Sequence, residues 1–306
     1  MTTTQLARQQ ITSPHPVSSR RTATPVIAFL GAGRMGAPMA ANLARAGFRV
    51  QVWDRTASHA AALIQEGVTA EASPAAAVKG AQILITMLAD GAATDQALRG
   101  PDGELEIGPG LIWVQMATVG MEWTQRFVNT ATHYQMSFFD APVSGSQGPA
   151  QDGKLTILAS GPSWMQKAVA PVFGALGRVA WLGPAGNGTR AKLVLNNWLA
   201  DLVETTAETL SFARQLDLDP AAIVDLLEST PLGSPYAVQK ARTMLTGDFT
   251  PAFALKHALK DAELAAQAAQ DSGAELTLTS ALLPRWQRAA ASGHADDDLA
   301  AIYTTT

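Results

Sequence analysis

At 306 residues, with 47% hydrophobic and 16% charged side chains, the chain is long enough for two domains, each with its own core. A formal charge of −4, from 22 Lys plus Arg against 26 Asp plus Glu, offers no basic surface for nucleic acid and points to small-molecule partners. No apolar run reaches the roughly eighteen residues of a membrane span, and with no cysteine and 5 scattered histidines the chain has neither a disulfide framework nor metal-ligand spacing, which fits a cytoplasmic protein without a metal.

Residues 1–25 are rich in Thr, Ser, Gln and Pro, carry Arg8, Arg20 and Arg21 without an acid, and read as a disordered tail. Val26–Leu30 (VIAFL) is the first apolar run, a buried parallel strand. It ends on Gly31, Ala32, Gly33, Arg34, Met35 and Gly36. A helix with Met39, Leu43 and Ala46 at helical spacing follows, then a second strand over 48–53 ending at Asp54. This is a βαβ unit with G-x-G-x-x-G at its first turn, the arrangement that seats a dinucleotide pyrophosphate on free N–H groups at a helix start. Gly31 permits the turn, Gly33 the approach of the phosphates, and Gly36 the packing of the helix. Asp54 would accept from an adenine ribose diol, which favours NAD, whereas Arg55 and Thr56 would receive the 2′-phosphate of NADP. These residues point both ways between NAD and NADP, and the resemblance given below tips the balance slightly to NADP.

Alternation continues with a helix over 58–65, a short helix at Pro74–Val78, and strands over 83–88 and 111–116. In a doubly wound sheet the loops at the carboxyl ends of such strands line the ligand crevice, which places Leu88, Ala89 and Thr118 beside the nicotinamide end of the cofactor. Thr118 serves equally well as the cap of a helix beginning near Glu122. The segment APVSGS puts Ser144 and Gly145 in a loop whose hydroxyl and N–H groups suit a carboxylate. A strand over 154–159, a helix over 164–176 and a strand over 178–182 complete the first domain, residues 26–186.

A single long helix over 186–216 then joins it to an all-helical second domain, residues 187–306. The spacing of Ala191, Leu195, Trp198 and Leu202 supports that helix. Lys192 and Asn196, one turn apart, present an ammonium and an amide on one face toward the interdomain cleft, and Lys192 is the candidate proton donor. Asp219-Pro220 starts a helix through 222–227, residues 252–270 form another closed by Gly273, and Asp296 caps the last short helix. Lys256 and Lys260 share a face that pairs with Asp261 or Glu263 in solvent.

LGAGRMGAPMAANL, APVSGS, GNGTRAKLVLNN and FALKHALKDAELA, in that order over nearly the whole chain after Pro25, resemble the β-hydroxyacid dehydrogenase superfamily, the relatives of 3-hydroxyisobutyrate dehydrogenase. SGSQGPAQDGKLTILASG and PAFALKHALKD are nearest the glyoxylate and succinic semialdehyde reductase branch. The resemblance implies a Rossmann domain, NAD(P), Lys192 as the catalytic lysine, Asn196 as its partner, Ser144 and Gly145 as the carboxylate loop, and Thr118 and Lys260 near the nicotinamide. Three positions depart from the pattern: Gln115-Met116-Ala117-Thr118 replaces Asp-x-Ser-Thr, Asp54 replaces Asn before Arg55-Thr56, and Trp198 follows the lysine with a large ring.

The implied reaction is hydride transfer between nicotinamide and a small aldehyde or keto acid or the matching hydroxy acid, with Lys192 giving or taking the proton at the developing alkoxide. Burial and the positive end of its helix are expected to lower the Lys192 amine toward neutrality. An imine reductase on the same architecture and a non-catalytic dinucleotide-binding scaffold are the alternatives. The apolar faces of the helical domain imply completion by another subunit, as a homodimer or homotetramer.

Overall fold

The computed structural model describes residues 24–99, 107 and 109–306, so the expected tail lies, through residue 23, outside the described residues. The chain first alternates: β1 (Val26–Leu30), α1 (Gly36–Arg45), β2 (Arg49–Trp53), α2 (Ala57–Ala61), β3 (Thr69–Ala70), α3 (Pro74–Val78), β4 (Ile83–Thr86), α4 (Gly91–Arg99), β5 (Ile112–Gln115), α5 (Gly120–His133) and β6 (Ser137–Asp140). These strands form one sheet in the order β3-β2-β1-β4-β5-β6, with every neighbouring pair parallel. Strand order reverses between β1 and β4, the switch point at which doubly wound sheets seat their ligands. VIAFL and ILIT are buried end to end because apolar layers cover both faces, one around Met39, Leu43 and Phe173, the other around Trp113, Phe127 and Phe138.

Next come β7 (Val143–Ser144), α6 (Gln147–Gln151), β8 (Leu155–Ala159), α7 (Gln166–Leu176) and β9 (Gly177–Trp181). The strands expected over 154–159 and 178–182 do not extend the main sheet but build a second one, β7-β8-β9, tied to β6 by a bridge between Asp140 and Ser160. Residues 145–154 are fewer than the dozen or so a parallel crossover takes, so β8 returns antiparallel to β7.

The helical domain consists of α8 (Asn187–Gln215), α9 (Pro220–Glu228), α10 (Pro235–Thr246), α11 (Leu255–Ser272), α12 (Thr277–Ala289) and a closing 3₁₀ segment, Leu299–Thr305. Its core gathers Val203, Leu210, Leu255, Leu282 and the fully buried Trp286. No helix among the described residues is long and apolar enough to cross a membrane.

Several expectations need correction. The helix expected over 58–65 is broken into α2 and a separate 3₁₀ turn at Ile64–Glu66. The last cap is Asp298, whose carboxylate accepts from Ala300 N at 3.0 Å, whereas Asp296 pairs with Lys256. Buried Asp298 also binds Lys240 Nζ at 2.6 Å and the N–H groups of Ala252 and Phe253, which delays α11 until Leu255. Helices α4, α6, α10 and α12 have no counterpart in the sequence reading; α12 holds an internal Pro284, a residue that reads as a breaker.

The apolar spacing that announces α8 marks its outer face. Leu195 is 43% and Trp198 65% exposed, while the domain buries the adjacent stripe of Leu193, Asn196, Ala200, Val203, Ala207 and Leu210. Trp198 therefore points away from the side of the helix that carries Asn196.

The start of α8 has no cap of its own, since Gly186 precedes it. Asp140, at the end of β6, takes that role from the other domain: its carboxylate accepts from Thr189 N and Thr189 Oγ1, each at 2.7 Å, and from Ser160 Oγ at 3.2 Å. Ser160 Oγ accepts from Gly188 N at 2.9 Å. A Cβ at Gly188 would stand 2.3 Å from Leu158 O and 2.6 Å from Asp140 O, so only glycine lets the helix dock this closely.

Asp140→Ala should cost about 3 kcal/mol of unfolding free energy, the scale of a lost cap plus charge-assisted hydrogen bonds, measured by denaturant titration. Burial raises the Asp140 carboxyl above its ordinary value, against the opposing hydrogen bonds of Thr189 and Ser160. A carboxyl raised in the folded state contributes stability that is complete below its unfolded value and is lost as pH rises through the folded one. The wild-type chain should lose stability over that window, and Asp140→Asn should remove that component.

Candidate active site

The glycine-rich turn lies where β1 meets α1. Gly31 has φ +106°, and a Cβ there would stand 2.3 Å from Met87 O; a Cβ on Gly36 would stand 1.8 Å from Gly31 O. Gly33 differs, because a Cβ there would meet nothing within 4 Å. That open space lies over the first turn of α1, whose N–H groups have no side-chain cap, so the turn fits the pyrophosphate of a dinucleotide. Ala32 and Gly31 are buried, Met35 is half-buried, and Arg34 reaches across to donate from Nη1 to Pro251 O at 2.9 Å.

Asp54 ends β2 with its carboxylate turned inward. Oδ2 accepts from Ala32 N at 2.7 Å and Oδ1 from Thr56 N at 2.8 Å, with His59 Nδ1 at 3.2 Å. It thereby braces the glycine-rich turn from below, and the exposed Arg55 and Thr56 form the outer rim. The same residue that suits a ribose diol on sequence grounds is already engaged by backbone donors.

At the carboxyl ends of β4 and β5, Leu88 packs beside Gly31, Ala89 is exposed and Thr118 is half-buried. Thr118 does not cap α5; Val119 holds that position without a side-chain hydrogen bond. Gln115, one of the departures from the family pattern, is fully buried with both ends of its amide engaged. Its Oε1 accepts from Thr86 Oγ1 at 2.9 Å and its Nε2 donates to Ala117 O at 2.8 Å, fixing the backbone that leads into Thr118.

Lys192 and Asn196 come together with two residues of α11. Asn196 Nδ2 donates to Asp261 Oδ2 at 2.6 Å, Lys260 Nζ lies 2.8 Å from Asp261 Oδ1, and Lys260 Nζ also donates to Thr118 O at 2.6 Å. The Lys260 to Asp261 approach is close but off the line of a hydrogen bond, which leaves the buried Oδ1 with an ion-pair partner and no hydrogen-bond donor. Burial lowers the Lys192 amine below the ordinary lysine range; the Asp261 carboxylate opposes that shift and the Lys260 ammonium adds to it. The Lys260 ammonium and the Asp261 carboxylate thus bear on Lys192 with opposite signs. Burial and then the neighbouring Lys256 and Lys260 also lower His257.

The sequence reading missed Asp261 as part of this cluster, placing it with Lys260 on a solvated stripe. It is 5% exposed, and the usable signal was its place on the buried alanine face of α11 with Ala258, Ala262 and Ala265. Lys256 does not join the site. Ser144 ends β7 half-buried, Gly145 follows with φ +131°, and Pro142, two residues before Ser144, would also be met by a Cβ on Gly188, at 3.1 Å, so this loop lies under the first turn of α8.

The NAD binding domain of 6-phosphogluconate dehydrogenase matches residues 26–183, and the NAD-binding domain of NADP-dependent 3-hydroxyisobutyrate dehydrogenase matches residues 186–306. Glyoxylate/succinic semialdehyde reductase 1 of Arabidopsis thaliana is 33% identical over 278 residues, 90% of this chain and 96% of that protein. The cytokine-like nuclear factor N-PAC of Xenopus tropicalis is 33% identical over 279 residues; the chain spans 52% of its length, about half. The solved structure of Mycobacterium tuberculosis 3-hydroxyisobutyrate dehydrogenase with L-serine superposes with a TM-score of 0.83 at 28% identity, covering 92% of this chain and 99% of that one.

Two glycine variants separate packing from ligand access. Gly36→Ala should lower both melting temperature and dinucleotide affinity, because its Cβ meets Gly31 O, whereas Gly33→Ala should leave melting unchanged and weaken dinucleotide binding, read by fluorescence titration.

Proposed function

This chain belongs to the β-hydroxyacid dehydrogenases related to 3-hydroxyisobutyrate dehydrogenase, and on that premise we propose that it interconverts a small aldehyde or keto acid and its hydroxy acid, with NADP as the preferred dinucleotide. The observation that carries this reading is the Lys192 amine, lowered by burial and set among Asn196, Lys260 and Asp261 in the cleft.

When bound, the reduced nicotinamide supplies a hydride to the carbonyl carbon. The Lys192 ammonium donates its proton to the oxygen as the carbon–oxygen double bond opens, and the amine takes that proton back in the oxidative direction. Its lowered value brings the amine toward the point where it is both a usable acid and a usable base. Asn196, held by Asp261, orients the reacting oxygen beside Lys192. Ser144 and Gly145 offer a hydroxyl and N–H groups to the substrate carboxylate.

The inward-turned Asp54 and the exposed Arg55 and Thr56 support NADP, since the guanidinium and hydroxyl remain available to a 2′-phosphate. Lys192 also favours carbonyl over imine reduction, because an iminium needs no ammonium donor.

Lys192→Ala should reduce turnover by roughly 10²- to 10⁴-fold while keeping dinucleotide binding. Reduction should be fastest below the lowered value of the amine and decline as pH rises through it, and oxidation should show the opposite limb. Arg55→Ala should shift the NADPH to NADH ratio of kcat/KM toward NADH. Glyoxylate, succinic semialdehyde and a cyclic imine assayed side by side decide the class; turnover of the imine alone, or dinucleotide binding with no turnover of any of them, would replace this reading.

A further inference from the structure

His257 lies in the first turn of α11, three and four residues before Lys260 and Asp261, and so shares their face of the helix. Its half-buried ring makes no hydrogen bond among the described residues. His59 and His294, by contrast, each face a carboxylate, with Nδ1 3.2 Å from Asp54 Oδ1 and 2.8 Å from Asp297 Oδ2. The charged groups that act on His257 are Lys256, Lys260 and Asp261 from α11 and Arg34 from the glycine-rich turn; Asp296, ahead of the closing 3₁₀ segment, feels the ring in return. Both carboxylates are already engaged, Asp261 by Asn196 and Lys260, and Asp296 by Lys256. A basic ring is thus set among three cations without an acid of its own, and burial together with those cations favours its neutral form.

We propose that His257 is a further dinucleotide-binding residue, whose ring takes up a proton from solvent and, as imidazolium, donates a hydrogen bond to a phosphate oxygen of the bound cofactor. The anion is identified by where the neighbours of the ring come from. Arg34 directly follows Gly33, whose open side fits the pyrophosphate, and its Nη1 spans to Pro251 O at 2.9 Å, six residues before His257. Lys260, one turn farther along α11, donates to Thr118 O at 2.6 Å, at the loop expected beside the nicotinamide. His257 therefore belongs to the stretch of α11 that faces the path from pyrophosphate to nicotinamide, whereas a substrate carboxylate has its own loop at Ser144 and Gly145. A phosphate against the ring reverses the balance of charge around it, because the imidazolium that three cations disfavour gains a counter-ion. Affinity and protonation are thereby linked. Dinucleotide binds most tightly at pH below the lowered value of the free ring, weakens as pH rises, and stops changing above the value of the ring in the complex; between the two, binding draws a proton from solvent. The inference rests on dinucleotide binding alone, not on the reaction proposed above.

Isothermal titration of the full chain with NADP, run at pH about 6.5 in buffers that differ in ionisation enthalpy, reads the protons taken up on binding. His257→Gln keeps a neutral donor of similar reach; it should take up fewer protons than the wild type, by as much as about one, and should bind NADP roughly tenfold more weakly near pH 6 but equally well near pH 9. Comparison of the two proteins cancels protons exchanged at the 2′-phosphate and at Lys192. Titration with glyoxylate in place of the dinucleotide should show no difference between them. In the wild type, the ring resonance of His257 followed by nuclear magnetic resonance should titrate at higher pH with NADP than without it, a readout that needs no variant to fold. Equal proton uptake by the two proteins, a difference that appears with glyoxylate instead of NADP, or a ring titration that NADP leaves unmoved would each overturn the proposal. All of these are measurements of binding, so they are independent of the turnover assays above.

Discussion

Asp140 joins the two halves of this molecule through a buried carboxylate that receives the N–H and the hydroxyl of Thr189. A helix start leaves donors without partners, and here the missing acceptor comes from the last strand of the neighbouring sheet. Because Gly188 fits directly on Leu158 O and Asp140 O, the position of α8 relative to β6 and β8 is set at its first turn. Everything farther along the helix inherits that placement. Lys192 lies one turn beyond, close enough to the anchor that a small shift there would move its amine relative to the ends of β4 and β5.

The second anchor is at the far side of the cleft. Lys260 spans from Asp261 to the carbonyl of Thr118, and Arg34 spans from the glycine-rich turn to Pro251. Each cation thereby ties the helical domain to a loop at the carboxyl edge of the sheet. The electrostatic consequence is local. Lys192 stays without a hydrogen-bond acceptor among the described residues, burial weakens its hold on a proton, and the nearby Asp261 keeps that effect from running to completion. Lys240, by contrast, is locked onto Asp298 inside the helical core.

Much of this was legible from local pattern. VIAFL running into GAGRMG declares a buried parallel strand, a turn that needs glycine and a helix start, because backbone sterics and period alone dictate those features. Lys192 and Asn196 were visible as a pair because four residues is one helical turn. Asp261 was not, since a lysine and an acid side by side read equally well as solvated until Asn196, distant in sequence, is known to point at the acid. Gln115 was opaque in the same manner: as a departure from a pattern it says nothing of its partners, which are Thr86 on the adjacent strand and Ala117.

By itself the sequence determined the dinucleotide-binding half, the long connecting helix and the lysine upon it, since these rest on spacing within a few turns of chain. Tertiary structure alone decided which stripe of α8 would be buried, that β8 would leave the main sheet, that Asp54 would turn toward Ala32, and that Asp140 would cap a helix in another domain. Each of those outcomes depends on a partner dozens of residues away, and periodicity along a chain carries no information about which distant group will be brought against it.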